Sequence, residues 1–293
     1  MANNETASII CSSPVMPRFP SNDTNLLIND IILCIVNVPC CIFAFLGNLA
    51  VIIAIAKTPS LQRPSNILLC GMATADCLTG LVAQPLFVLQ ALMIHRIHES
   101  CGPESTLFIA YNLSQIGFVG WSLVNITLIS FDRHYALSKP VKYRTNVTKK
   151  EAIQITFVAG LTWLLVTNLS KFVLPIKLAS ILGVGFIILT VINHIGSFIA
   201  IRRHNNKVMD VMAMVNTSII LRREKKAFFD MLVIIVVLVL CLVPSLVYRW
   251  FDVILSDGFE PLQVLSTNLI YINSSLNPII YLVRNDIDTL LSA

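Results

Sequence analysis

Seven apolar runs, each long enough to cross a lipid bilayer, constrain this chain more than any other feature. They lie near residues 26–56, 67–94, 105–131, 152–175, 178–201, 228–251 and 262–283. A helix needs about 20 mainly apolar residues to cross the hydrocarbon core. Inside lipid the backbone must bond to itself, so such runs close their hydrogen bonds as helices. Charged residues make up 13% of the chain, against about 25% in an ordinary soluble domain. The expected fold class is an all-α membrane protein, a seven-transmembrane helix bundle. The expected division is an outer tail over 1–25, the bundle over 26–283 and a short inner tail over 284–293.

The net charge of +5 is sorted by loop, which argues against nucleic acid as a partner and for membrane lipids. With the amino terminus outside, the inner segments are 57–66, 132–151, 202–227 and 284–293, and they hold sixteen of the 21 Lys and Arg. That bias predicts amino terminus out and carboxyl terminus in. Residues 1–25 show no basic start followed by an apolar core, so the first span is expected to act as its own signal-anchor. The sequons at Asn4 and Asn22 then fall outside and are expected to carry glycans. Cys11 and Cys101 also fall outside, in a compartment that allows a disulfide; their pairing stays open. Cys34, Cys40, Cys41, Cys70, Cys77 and Cys241 lie within spans and are expected to pack as small apolar residues.

The polar residues inside the spans carry the functional information. Asp76 stands near mid-membrane in the second span, where an ionisable group is a functional candidate by default. Asn48 follows Gly47 in the first span and either hydrogen-bonds to a neighbouring helix or forms with Gly47 a plain helix-packing contact. In the third span Asn112, Gln115, Val119, Ser122, Ile126, Ile129 and Arg133 recur at three- and four-residue steps, a stripe expected to face the bundle interior. Asp132 and Arg133 close that run, and such an acid–base pair at a membrane boundary can be separated by a partner docking from the cytosol. Pro85 is expected to kink the second span, and Pro244 to weaken the sixth so that it can swing as a lever. Glu224, at the inner start of the sixth span, has basic neighbours and can also reach Arg133. His194 in the fifth span can titrate, or serve as a packed and satisfied partner. Residues 204–226 either extend the fifth helix or lie on the headgroups. Asn273, Ser274, Ser275 and Asn277 surround the break at Pro278 and read as an inward face. Ile287, Leu290 and Leu291 can support a short interfacial helix.

Taken together, the chain resembles the class A, or rhodopsin-like, G-protein-coupled receptors over about residues 26–290. The matching pieces are Gly47-Asn48, Ala73-Thr74-Ala75-Asp76, Asp132-Arg133-His134, Trp163, Cys241-Leu242-Val243-Pro244 and Asn277-Pro278-Ile279-Ile280-Tyr281, in order and in the right spans. The resemblance implies that Asp132 and Glu224 restrain Arg133 at rest, and that Arg133 meets a heterotrimeric G protein when active. It implies that Asp76, Ser122, Asn273 and Asn277 form a pocket for sodium, an allosteric ion in a protein with no other cofactor. It implies that Tyr281 swings inward as the sixth helix moves out. A very short second outer loop resembles the melanocortin-type branch and its lipid and adenosine relatives.

Departures from the family pattern are equally specific. Phe108 stands where the usual third-span cysteine would be, and no cysteine occurs from 102 to 240. Leu242 replaces the usual tryptophan of the sixth span, and Phe186 and His194 replace a proline and a tyrosine of the fifth. Leu86, Phe108 and Asn112 occupy the acidic positions of melanocortin receptors, Gln115 the aspartate of aminergic receptors, and Tyr271 the lysine of opsins. The expected ligand site lies between the outer helix halves, with candidates Asn112, Gln115, Ile116, Val119, Leu242, Ser245, Leu246, Arg249, Thr267 and Tyr271. Its ligand is an extracellular small molecule, lipid or peptide, and Arg249 suggests an acidic group on it. No nucleophile–base pair, metal cluster or phosphate-cradling glycine loop stands out, so no enzyme is expected. Two alternatives are a ligand-independent receptor-like protein, constitutive or a dimer partner, and a small proton-coupled transporter using Asp76, His194 and Arg133. The transporter would call for paired broken-helix repeats, which the sequence does not show.

Overall fold

The structure is a computed structural model and describes residues 24–94, 103–173 and 176–210, with most of 232–247 and 265–279. Asn4, Asn22, Cys11, Cys101, Glu224, Leu246, Arg249 and Tyr281 lie outside the described residues, as do the inner tail and its expected short helix. Every regular element among the described residues is helical. In chain order they are α1 (Thr24–Lys57), a 3-10 turn (Pro59–Leu61), α2 (Pro64–Leu78), a π turn (Thr79–Ala83), α3 (Gln84–Ile94), α4 (Pro103–Ser138), α5 (Pro140–Asn146), α6 (Lys149–Val173) and α7 (Ile176–Asp210). The sixth span contributes α8 (Ile235–Ser245) and the seventh α9 (265–279). Four stretches among the described residues are long and apolar enough to cross a membrane: Cys34–Lys57, Pro64–Gln90, Ile109–Ser138 and Ile181–Arg203.

The helix limits follow from local chemistry, and two differ from the spans expected. Hydrophobicity falls at Asp132, but α4 runs on to Ser138 because nothing before Pro140 stops a helix. The residue before a proline avoids helical backbone, and Lys139 sits at φ −138°, ψ 63°. Asp132 and Arg133 are therefore inside a helix rather than at its end. Likewise α7 continues past residue 201 to Asp210, so residues 204–210 extend the helix, while residues 211–226 lie outside the described residues. On the inner side, Thr148 caps α6 in a reciprocal box with Glu151. Thr148 N donates to Glu151 Oε2 at 2.9 Å, and Glu151 N donates to Thr148 Oγ1 at 3.2 Å.

Pro85 leaves the carbonyl of Leu81 without a backbone donor, and the chain absorbs this by widening into the π turn just before it. Gly80 in that turn lets α1 come close: a Cβ there would stand 2.7 Å from Phe45 N and 2.9 Å from Cys41 O. Cys41 Sγ donates to the Gly80 carbonyl at 2.8 Å, so this thiol does more than fill space.

α4 is the central strut and touches α2, α3, α5, α6 and α7. It meets α6 through two reciprocal sockets. The Trp163 ring of α6 lies over Gly120, and the Trp121 ring of α4 lies over Gly160. Small residues let helix backbones close up where no hydrophobic force drives them together. Trp163 Nε1 also donates to the Ile116 carbonyl at 3.1 Å, which fixes its ring.

The outer faces are apolar: Ile35 is 66% exposed, Phe43 62% and Phe157 67%. Water-facing surfaces rarely carry such bands, and acyl chains cover them. The interior is the reverse, with Asn48, Asp76, Thr79, Gln84 and Asn125 each wholly buried. Each lies on a helix that could have turned it outward, so the bundle is built around its polar groups.

Candidate functional site

The deepest part of the site begins at a broken backbone. Pro278 in α9 has no N–H for the carbonyl of Ser274, four residues earlier. The Asn48 side-chain amide of α1 supplies the missing donor, bonding Ser274 O at 3.1 Å and its own Ala44 O at 2.8 Å. Of its two alternatives, Asn48 thus takes the hydrogen bond to a neighbouring helix. The repair holds α9 so that its polar residues face α2. Asn277 Nδ2 donates to Asp76 Oδ2 at 2.6 Å, and Ser274 Oγ donates to Asp76 Oδ1 at 2.9 Å. Ser122 approaches the same carboxylate from α4 without reaching full hydrogen-bond geometry. Asn273 is buried at 5%, but its Oδ1 makes no hydrogen bond among the described residues. Asp76, Ser122 and Asn277 thus come together as expected, while Ser274, outside the expected set, is the second residue bonded to Asp76. The polar run around Pro278 contained that signal, but not the identity of the partner.

At the inner end, one carboxylate ties three helices. Arg133 reaches Asp132 Oδ2 through a terminal guanidinium nitrogen at 2.9 Å and through Nε at 3.3 Å. Ser65, in the first turn of α2, donates to the same oxygen at 2.6 Å. Tyr143 of α5 donates its phenol to Asp132 Oδ1 at 2.7 Å. Burial is the main reason the Tyr143 phenol is pushed up to about 12, so it remains a donor at physiological pH. Asp132 is 6% exposed and Arg133 18%, so the cation is the more accessible member of the pair. Neither Ser65 nor Tyr143 was legible as a site residue, because both stand in ordinary basic-flanked segments.

The outer part is lined from α3, α4, α8 and α9. Gln115, Leu242, Ser245, Thr267 and Tyr271 are buried, and Asn112, Ile116 and Val119 are half-buried. Phe87 of α3 packs its ring against Tyr111 at 5.5 Å and against Tyr271 at 5.4 Å between centroids. Asn37 of α1 donates to Asn268 of α9. Phe87, Tyr111 and Asn37 were not among the expected residues, and neither was Gln84, which is wholly buried. His194 is buried on α7, and Pro244 lies half-buried in α8.

Comparison with known proteins supplies the remaining observation. The family profile described as 7 transmembrane receptor (rhodopsin family) matches residues 47–177. Trace amine-associated receptor 4 of Mus musculus is 27% identical, over 82% of this chain and 78% of its own. Its counterpart in Rattus norvegicus is 29% identical over the same shares. The octopamine receptor beta-2R of Chilo suppressalis is 32% identical over 42% of this chain and 29% of its own.

Proposed function

We propose, for a chain that belongs to the rhodopsin-like family of seven-transmembrane receptors, that it sits in the plasma membrane, binds an extracellular small molecule between its outer helix halves and promotes nucleotide exchange on a heterotrimeric G protein. It acts by binding and not by covalent chemistry. The observation that carries the reading is the knot at Asp132, which joins α2, α4 and α5 and holds Arg133 to itself. A resting state that ties down its own half-buried cation has a second state in which that cation is free. A ligand shifts the balance only by binding the second state better. Glu224 and Tyr281 are proposed to restrain and replace contacts in this exchange, with Pro244 as the weak point of the moving helix. Purified protein in lipid nanodiscs should accelerate GTPγS uptake by a heterotrimer when a ligand library is screened; no acceleration by any ligand or in its absence would end the reading.

The same knot weighs against a ligand-independent receptor, which would leave Arg133 unrestrained. Tyr143→Phe removes one of the two side chains that hold Asp132 from outside α4. Basal nucleotide exchange is expected to rise roughly two- to five-fold, as when one state loses about 0.5–1 kcal/mol. Equal basal rates for variant and wild type would show that the phenol does not hold the resting state.

The oxygens around Asp76 fit a hard monovalent cation. The set is oxygen-rich, and two of its members, Ser122 Oγ and Asn273 Oδ1, are buried without hydrogen bonds among the described residues. Asp76, Ser122, Asn273 and Asn277 would hold the ion, with Ser274 adjoining, and the ion would add positive charge that favours ionised Asp76. Asp76→Asn is expected to abolish any dependence of agonist affinity on sodium, read by titrating affinity in sodium against N-methylglucamine. A sodium effect that survives the substitution would dismiss the pocket.

Ligand chemistry is expected to differ from that in the relatives' names. Those names point to amines, whereas Gln115 supplies a neutral amide at the aminergic aspartate position. Asn112, Gln115, Ile116, Val119, Leu242, Ser245, Leu246, Arg249, Thr267 and Tyr271 remain the proposed lining.

A further inference from the structure

Gln84 takes part in neither the Asp76 cluster nor the Asp132 knot. It is wholly buried, and neither Nε2 nor Oε1 finds a hydrogen-bond partner among the described residues. A buried donor or acceptor left unpaired is costly, and this side chain leaves both its amide nitrogen and its carbonyl oxygen without a partner. Such groups are rare in native interiors, and each calls for an explanation.

Its place in the bundle offers one. Gln84 is eight residues outward of Asp76, Gln115 seven outward of Ser122, and Thr267 seven outward of Ser274. At about 1.5 Å per residue, all three lie roughly 10–12 Å outward of the Asp76 cluster. They form one polar layer contributed by three helices, each member buried. Phe87 follows Gln84 by three residues, within about one turn on the same side of α3, and its ring joins Tyr111 and Tyr271. The aromatic cluster therefore brackets the layer of the unpaired carboxamide, with Phe87 and Tyr111 placed outward of Gln84 and Gln115, and Tyr271 one turn inward of Thr267. Among the described residues the buried acids, Asp76 and Asp132, are committed at deeper levels.

We propose that Gln84 is a specificity-determining residue between the outer helix halves, and that it selects an uncharged ligand joining an amide-type donor and acceptor to an aromatic or apolar body. The proposal rests on the receptor reading above and names its ligand class. A carboxamide is satisfied on both atoms by a group that offers a donor and an acceptor side by side. An ammonium offers donors only and leaves Nε2 unpaired. A carboxylate offers acceptors only and leaves Oε1 unpaired. The Phe87, Tyr111 and Tyr271 rings supply the apolar contact surface.

The test compares wild type with Gln84→Met, which keeps the volume and removes both polar atoms. In detergent without ligand, Gln84→Met is expected to melt roughly 2–4 °C higher, since no native hydrogen bond is lost. 2-Phenylacetamide at about 10 mM is expected to raise the wild-type Tm by about 1–2 °C and that of Gln84→Met not at all. 2-Phenylethylamine and phenylacetate, which share the ring, are expected to shift neither protein. Four results would each overturn the assignment: a lower Tm for Gln84→Met, no wild-type shift with the amide, an amide shift that persists in Gln84→Met, or equal stabilisation by the amine or the acid. None of these measurements involves a G protein. Failure of the receptor reading would instead appear as absence of nucleotide exchange by the wild type.

Discussion

Arg133→Ala is expected to remove G-protein coupling almost completely, lowering both basal and agonist-driven nucleotide exchange by at least about ten-fold. Hydrogen bonds to a charged group contribute about 1.5–3 kcal/mol each, so the loss of a guanidinium from the docking face is worth one to two decades. Folding should survive, and the reason is specific. Removing Arg133 would be severe if it left Asp132 as a bare buried anion. Asp132 keeps the Ser65 hydroxyl at 2.6 Å and the Tyr143 phenol at 2.7 Å. Surface expression is therefore expected to stay within about two-fold of wild type, given that the remaining partners cover the carboxylate. Coupling that persists at normal expression would remove Arg133 from the centre of the mechanism. Asp132→Ala tests the other half of the pair and should raise basal exchange rather than lower it.

Gly120→Val should fail at the level of folding. A Cβ at Gly120 would fall on the Trp163 indole. That ring has little room to move: it is 7% exposed, bonded through Nε1 to Ile116 O at 3.1 Å, and set edge-on to Phe186 at 5.8 Å. Overpacking a rigid core costs about 1–3 kcal/mol and sometimes more, enough to empty the folded population of a marginal protein. Surface expression is expected to fall to below about a tenth of wild type, in keeping with that penalty. Adding Trp163→Leu should restore part of it by vacating the socket. Gly117→Ala is the control, because a Cβ there meets only the end of the Leu164 side chain at 3.1 Å. Wild-type expression of Gly120→Val would mean that the α4–α6 sockets do not limit stability.

Particular residues show where sequence reasoning reached the site and where it stopped. Asp76 was legible because a carboxylate in the middle of an apolar run has few structural excuses. Asn48 was legible as either a hydrogen-bonding or a packing residue, and its partner is a backbone carbonyl released by Pro278 on a distant helix. The stripe on α4 was legible from helical spacing, and its buried members Gln115, Ser122, Ile126 and Ile129 follow it. Gln84 carries no distinct signal in the sequence, because a glutamine next to a proline in the outer half of a span resembles an ordinary boundary residue. The inner limit of α4 lies beyond the apolar run because hydrophobicity reports where lipid ends, whereas a helix ends where the backbone is forced to change.

Sequence alone determined the all-helical class and placed the four long apolar helices of the described residues, because lipid imposes length and closed backbone bonding on each segment independently of its neighbours. Tertiary structure alone decided which oxygens meet: Ser274 with Asp76, Tyr143 and Ser65 with Asp132, and no protein group with Gln84 among the described residues. Helical periodicity states which face a side chain occupies, but not the rotation and depth of the helix opposite. Those are set by the close approaches at Gly80, Gly120 and Gly160, where the packing of one helix against another fixes the register of every polar contact between them.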